Sequence, residues 1–316
     1  MKQIKLKYLK EYKLANIREM HRNNKAVPKI CKDDFKNKSV VITGATSGIG
    51  YYTAREYASH GANIICINRN KEKSRKLSEE ITNDFKVKCE YKIADFTHIS
   101  EIKQVGKQLL ESNLNIDVLI HNAGIHSTKK VLTKDNNEMV FQVIYLGSFI
   151  LNYMLKNKLK NQKKARIIFV NSEGYRFAIF GLNLEDLNWK KHRYSSLSSY
   201  GSAKTAQLLS MIIFNQYFQD SGVTINACHP GQVKTNIGEN NGRLYRFYKH
   251  HFVNRSSKSP QISADALYYL GVSKDVDKVS GKFFNLTTEE QLAPHALDKE
   301  IAESLWRESC RLGGFN

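Results

Sequence analysis

Apolar residues along the chain fall into two patterns: short continuous runs, and longer stretches in which they return every three or four positions. The first run, Val40-Val41-Ile42, is followed by a glycine-rich turn and a helical pattern through Tyr51, Ala54 and Tyr57. The second, residues 62–68, lies between Gly61 and a charged helical stretch, as expected of a strand covered on both faces. Further strands are predicted over 86–94, 117–120, 165–171, 224–228 and 279–284. Between them the spacing predicts a helix capped by Ser100 and running to about Ser112, a long one over about 135–158, and one through Leu208, Leu209, Ile212 and Ile213. Strand and helix in alternation predict one doubly wound α/β domain over residues 37–316, with about seven parallel strands and helices on both faces. The longest uncharged run, 139–155, is short of a membrane span and reads as a buried helix flanking the sheet.

Residues 1–36 read as a basic extension. Ile4, Leu6, Leu9, Leu14, Ile17 and Met20 recur at loosely helical spacing among lysines. Such a helix either meets a membrane surface or partner through residues 1–30, or packs back on its own domain. The net charge of +19 sharpens this only locally. Residues 1–38 hold twelve Lys/Arg against four acids, a surplus of +8, and the other +11 is spread over helix surfaces. No specific nucleic-acid binding is expected of that distribution. No apolar leader interrupts the lysines of 1–38, and five cysteines (Cys31, Cys66, Cys89, Cys228, Cys310) show neither C-x-x-C pairing nor metal-like spacing. Reduced thiols in a cytoplasmic protein, with no metal, are the expectation.

The candidate chemistry begins at Thr43-Gly44-Ala45-Thr46-Ser47-Gly48-Ile49-Gly50, a strand-turn-helix junction. Glycines there let a phosphate approach the backbone, and the helix start behind them offers free N–H groups to an anion. This is a pyrophosphate cradle. At the end of the second strand, a dinucleotide site that favours NAD places a carboxylate on the ribose hydroxyls. This chain has Asn68-Arg69-Asn70 instead, with no acid between Gly61 and Lys71. Arg69 can fork onto a 2′-phosphate, so NADP(H) is the expected cofactor.

Ser172 stands just past the fifth strand, at the sheet edge where doubly wound folds place their chemistry. Tyr200 and Lys204 lie four residues apart, one turn along a helix face, where the ammonium favours phenolate and makes the tyrosine a usable acid/base. Tyr245 and Lys249 share that spacing, but without a strand-end serine before them or a Pro-Gly loop after. The glycine turn, His121-Asn122-Ala123-Gly124, Val143-Ile144-Tyr145-Leu146-Gly147-Ser148-Phe149, Ser172, Tyr200-x-x-x-Lys204 and His229-Pro230-Gly231-Gln232-Val233-Lys234-Thr235 come in one order. In that order they resemble the short-chain dehydrogenase/reductase family. Asp186-Leu187-Asn188-Trp189 and the tail from Pro294 to Ser309 resemble its retinol-dehydrogenase-like branch.

The resemblance implies a Rossmann-like fold and hydride transfer between nicotinamide and a carbonyl or alcohol. Ser172 would polarise the oxygen, Tyr200 would move its proton, and Lys204 would lower the tyrosine pKa and hold the nicotinamide ribose. Cofactor contacts are implied at Gly44, Thr46, Ser47, Gly48, Ile49, Gly50, Arg69, Asp95, Phe96, Asn122, Ala123, Gly124, Tyr200, Lys204, Pro230, Gly231, Val233 and Thr235, with Asp95 and Phe96 beside the adenine. Ile144 departs from the family, which carries there an asparagine that links the lysine to solvent through water. A slower enzyme is therefore expected. Aromatic residues of the 173–199 insert (Tyr175, Phe177, Phe180, Trp189) and of the loop 244–252 suggest an apolar small-molecule substrate, with core packing as the plainer role for any one of them. The alternative is a catalytically weakened cofactor-binding protein that works through its basic N-terminal arm.

Overall fold

A parallel sheet needs helices on both faces, and the strands here supply apolar side chains in both directions. The computed structural model describes residues 7, 8, 10, 11, 14–233 and 258–315. After an N-terminal helix α1 (Leu14–Asn23), the order is β1 (Ser39–Thr43), α2 (Gly48–Ser59), β2 (Asn63–Asn68), α3 (Lys71–Phe85), β3 (Cys89–Ile93), α4 (Ile99–Glu111), β4 (Val118–His121) and α5 (Met139–Asn161). Then come β5 (Ala165–Val170), α6 (Ser196–Tyr217), β6 (Val223–His229), α7 (Gln261–Val272), β7 (Phe283–Asn285), β8 (Thr288–Glu290) and α8 (Lys299–Gly313). The strands stand in the order β3-β2-β1-β4-β5-β6-β7-β8.

Alternation along each strand splits the core in two. Val41, Ile65, Leu119, Ile167 and Ile225 meet the apolar faces of α4, α5, α6 and α8. Val40, Ile42, Ile64, Val118, Ile120 and Ile168 meet α2, α3 and α7. At about 25 cal/mol per Å² of apolar surface removed from water, these two layers supply the main stabilisation of the fold. Helix α5 carries the long uncharged run, and 78% of its most apolar window is buried inside the domain. By length and composition alone it could cross a membrane, but here it is a core helix.

Seven strands run parallel as expected; an added antiparallel strand and the starts of two helices differ from the expectation. The sheet has eight strands, because β7 returns at once as antiparallel β8, with Asn285 facing Thr288 across the two-residue loop Leu286-Thr287. Leu286 takes φ 54°, which closes that loop tightly. Thr-Glu-Glu, three residues and mostly polar, carries almost no strand signal. Helix α4 begins at Ile99, not at a Ser100 cap; the Ile99 N–H is instead satisfied by Asp135 Oδ2 at 2.8 Å. The long helix likewise starts at Met139, where the Glu138 carboxylate accepts from the Val140 and Phe141 N–H groups at 3.1 and 2.8 Å.

The described part of the N-terminal segment folds back on the domain. The Tyr8 hydroxyl donates to Asp298 Oδ2 at 2.8 Å, Asn23 Nδ2 to Glu290 Oε2 at 3.1 Å, and the Lys29 N–H to Thr287 Oγ1 at 2.8 Å. This strap runs along the β7–β8 hairpin, at the end of the sheet nearest Ser172.

Candidate active site

The glycine turn leaves β1 and enters α2 with Gly44 at φ 72° and Gly48 at φ 56°. A Cβ on Gly44 would fall 2.9 Å from the Ala123 Cα, and one on Gly50 would fall 2.5 Å from Asn122 Nδ2. The turn is therefore pressed against His121-Asn122-Ala123-Gly124, and only glycine fits. Asn122 Nδ2 donates to the Thr43 and Gly44 carbonyls at 3.1 and 2.8 Å, while Thr43 Oγ1 accepts from the Asn122 and Ala123 N–H groups. Ser47, the residue before α2, makes no side-chain cap, so that the helix start is free for an outside anion. These residues fit a dinucleotide pyrophosphate.

Asn68 does more than replace an acid. Buried at the end of β2, it accepts the Ala45 N–H at 2.7 Å through Oδ1 and so braces the turn. Asn70 caps α3 by accepting from the Lys73 N–H at 2.9 Å, which leaves Arg69 exposed between the two. Phe96 points into the core against Gly147. Asp95 is the more accessible half of that pair, with Oδ1 accepting from Thr97.

The structure brings Ser172, Tyr200 and Lys204 together. Ser172 follows β5, and its Oγ accepts from the Gly174 N–H at 3.0 Å, leaving the hydroxyl proton free to point outward. A Cβ on Gly174 would lie 2.8 Å from the Tyr200 ring and 3.2 Å from Ser172 Oγ, which shows how closely serine and tyrosine converge. Tyr200 sits in the second turn of α6, not at its start. Lys204 lies 5.8 Å behind the Tyr200 ring centroid and is only 4% exposed. Its Nζ donates to the Val170 carbonyl at 2.7 Å, and burial pulls its pKa down to about 7.

The position of Ile144 is a widened turn: Gln142–Leu146 winds as a π-helix inside α5. The Ile144 side chain packs with Val140, Ala203, Ile125 and Tyr200. Its carbonyl accepts from Gln207 Nε2 at 2.9 Å, and Gln207 Oε1 lies 3.4 Å from Lys204 Nζ and 3.2 Å from Asn171 Nδ2. Neither Gln207 nor Asn171 is part of the motif that drew attention to this helix, and both are buried polar residues around the lysine.

On the far side, Pro230 and Gly231 follow β6. The Pro230 carbonyl accepts from Ser263 Oγ at 2.5 Å, Gly231 takes φ 78°, and Val233 bridges to Lys258. Thr235 and the loop 244–252 lie outside the described residues. Burial holds the His229 imidazole down at about 4, so it is neutral. Of the insert aromatics, Tyr175 is core, its hydroxyl accepting the Ala293 N–H at 2.9 Å, whereas Phe177 and Phe180 are exposed. Trp189 stacks edge-on to Tyr194 at 5.5 Å. His126, which sequence reasoning passed over, meets the Tyr200 ring edge-on at 5.9 Å. Among the described residues no three His, Cys, Asp or Glu side chains group as a metal site.

The chain is similar to known proteins in sequence and in fold. A family model described as short chain dehydrogenase matches residues 38–183. The chain is 34% identical to Retinol dehydrogenase 13 of Mus musculus over 292 residues, spanning 90% of this chain and 86% of that protein. A crystal structure of an uncharacterized protein from Mycobacterium paratuberculosis superposes with a TM-score of 0.70 at 25% identity, covering 90% of this chain and 96% of the other. A short chain dehydrogenase from Shigella flexneri, crystallised with NADP, superposes with a TM-score of 0.62 at 20% identity, covering 81% and 99%.

Proposed function

Because the chain belongs to the short-chain dehydrogenase/reductase family, in its retinol-dehydrogenase-like branch, we propose that it transfers hydride between NADP(H) and the carbonyl or alcohol carbon of an apolar small molecule. The observation that carries this reading is the convergence of Ser172 and Tyr200 on Gly174, with Lys204 buried behind the tyrosine ring. Arg69, exposed beside the cradle with no acid between Gly61 and Lys71, supports NADP(H) over NAD(H).

When bound, the nicotinamide supplies or takes up the hydride. The chain's own residues manage the oxygen and its proton. In reduction the Ser172 hydroxyl donates to the substrate oxygen, and Tyr200 delivers its phenolic proton to the alkoxide as it forms. Lys204 favours the resulting phenolate by its charge. In oxidation Tyr200 takes the alcohol proton instead. Asn122, Gly44, Gly48 and Gly50 hold the cradle, and Asn68 keeps it in place. Phe177 and Phe180, exposed on the insert, and His126 beside Tyr200 favour an apolar substrate with one polar end. Five free thiols suit a reducing compartment such as the cytoplasm.

The test is NADPH and NADH consumption over a panel of apolar aldehydes and ketones, with Tyr200→Phe as control. Turnover that is strong with NADPH, weak with NADH and lost in the variant supports the assignment. NADPH binding without turnover on any carbonyl or alcohol overturns it.

A further inference from the structure

A buried ion cluster joins the N-terminal helix to the catalytic serine, and the hydride-transfer chemistry makes no use of it. Ser172 is followed directly by a tight turn, Glu173–Ala178, whose second N–H holds the serine oxygen and whose third, Tyr175 N–H, donates to the Ser172 carbonyl at 3.0 Å. The direction of the Ser172 side chain is thus set by where that turn begins.

Glu173 fixes the beginning. Its N–H donates to His229 Nδ1 at 3.4 Å, and its carboxylate receives Arg176 Nε at 2.6 Å. Arg176 then reaches out of the insert, its Nη2 donating to Glu290 Oε1 on β8 at 2.9 Å. The Glu290 side chain is wholly buried, and its other oxygen receives Asn23 Nδ2 at 3.1 Å and Asn285 Nδ2 at 3.4 Å. Asn285 Nδ2 also donates to Asn24 Oδ1 at 2.8 Å. One guanidinium between a wholly buried carboxylate and a half-buried one has no cheap alternative position, since its departure strands the Glu290 charge away from water. Burial pushes Glu173 up to about 7, against the pull of Arg176 and with the help of Glu290.

We propose that the Glu173–Arg176–Glu290 cluster, closed from outside by Asn23, positions Ser172, so that the N-terminal segment is a working part of the active site. Asn23, Arg176 and Glu290 touch no reacting atom; they act through the turn that aims the serine. The proposal rests on the reading of Ser172 as the residue that polarises the substrate oxygen.

Three full-length variants test it: Arg176→Met, Arg176→Lys and Asn23→Ala, compared with the wild type and Tyr200→Phe. Turnover, NADPH affinity by fluorescence, and hydrogen–deuterium exchange across 172–178 are measured on each. Misaiming the serine is expected to lower kcat for Arg176→Met by about ten- to a hundredfold with NADPH affinity nearly unchanged. Arg176→Lys should recover part of the loss, and Asn23→Ala should move kcat the same way by a smaller factor, with faster exchange across 173–178 in both Asn23→Ala and Arg176→Met. Wild-type kcat and exchange in Asn23→Ala overturn the proposal, and that variant decides alone if Arg176→Met does not fold. No turnover in the wild type defeats the hydride-transfer reading instead; the fastening of Ser172 then stands or falls on exchange at Glu173–Ala178 in Asn23→Ala.

Discussion

Gln207 Nε2 donates a 2.9 Å hydrogen bond to the main-chain carbonyl of Ile144. The same amide presents its oxygen to Lys204 Nζ, at 3.4 Å, and so ties the lysine to the widened turn of α5. The tie uses the backbone of residue 144, not its side chain, so it does not depend on which side chain stands there. Hydrogen bonds to charged groups contribute about 1.5–3 kcal/mol. Gln207→Leu is therefore expected to lower kcat by about ten- to a hundredfold, since 1.4 kcal/mol is tenfold. Stopped-flow or steady-state NADPH oxidation checks this, and a variant as fast as the wild type would remove Gln207 from the site.

Lys204 makes stability depend on pH in a definite direction. Burial lowers its pKa from 10.5 to about 7, so between those values the unfolded chain binds more protons at this position than the folded one. Stability from this group therefore rises with pH across that window, and the full penalty of the buried charge is felt below about 7. Lys204→Met should flatten the slope: urea midpoints at pH 6, 8 and 10 should differ less in the variant than in the wild type, while turnover is lost. Equal slopes would show that Lys204 titrates normally.

Cofactor choice should respond to Arg69. The residue is exposed, so its contact with a 2′-phosphate is screened by salt, and a loss of roughly tenfold in NADPH affinity is expected for Arg69→Ala at physiological ionic strength. NADH affinity should change little. Titration of protein fluorescence with each cofactor separates the two; parallel losses would mean that Arg69 does not read the phosphate.

Ile144→Asn sets two effects against each other. The side chain is buried among Val140, Ala203, Ile125 and Tyr200, and placing an amide there costs on the order of 3 kcal/mol, seen as a fall of several degrees in Tm. The same change puts a polar side chain on the widened turn that Gln207 ties to the lysine, and turnover is expected to rise where proton supply limits it. Turnover unchanged across pH, with no isotope effect from 4-deuterated NADPH to show that hydride transfer limits the rate, would falsify the relay argument.

Sequence and structure agree most closely where function depends on spacing within one element. The glycines of 44–50, the Tyr200–Lys204 turn and the apolar strands are local, and their physics can be read from neighbours along the chain. Less legible were residues whose meaning lies in a distant partner. Gln207 reads as one more polar position on a helix until the carbonyl of Ile144 appears beside it. Asn68 reads as a missing acid until its amide is seen to hold Ala45. Arg176 and Glu290 are 114 positions apart, and no pattern in either neighbourhood announces the pair. The eighth strand was missed because three residues held by a hairpin need no propensity of their own.

The bond between Asn23 and Glu290 spans 267 positions. A growing polypeptide emerges from the ribosome at about 5–20 residues per second, so the N-terminal helix waits on the order of tens of seconds before its anchoring carboxylate exists. Until β8 has been made, the helix has no place to dock. It is synthesised well before the strand that secures it, so its docking marks a chain made at least as far as Glu290: a product that stops short of β8 would leave the lysine-rich N-terminal segment without that anchor.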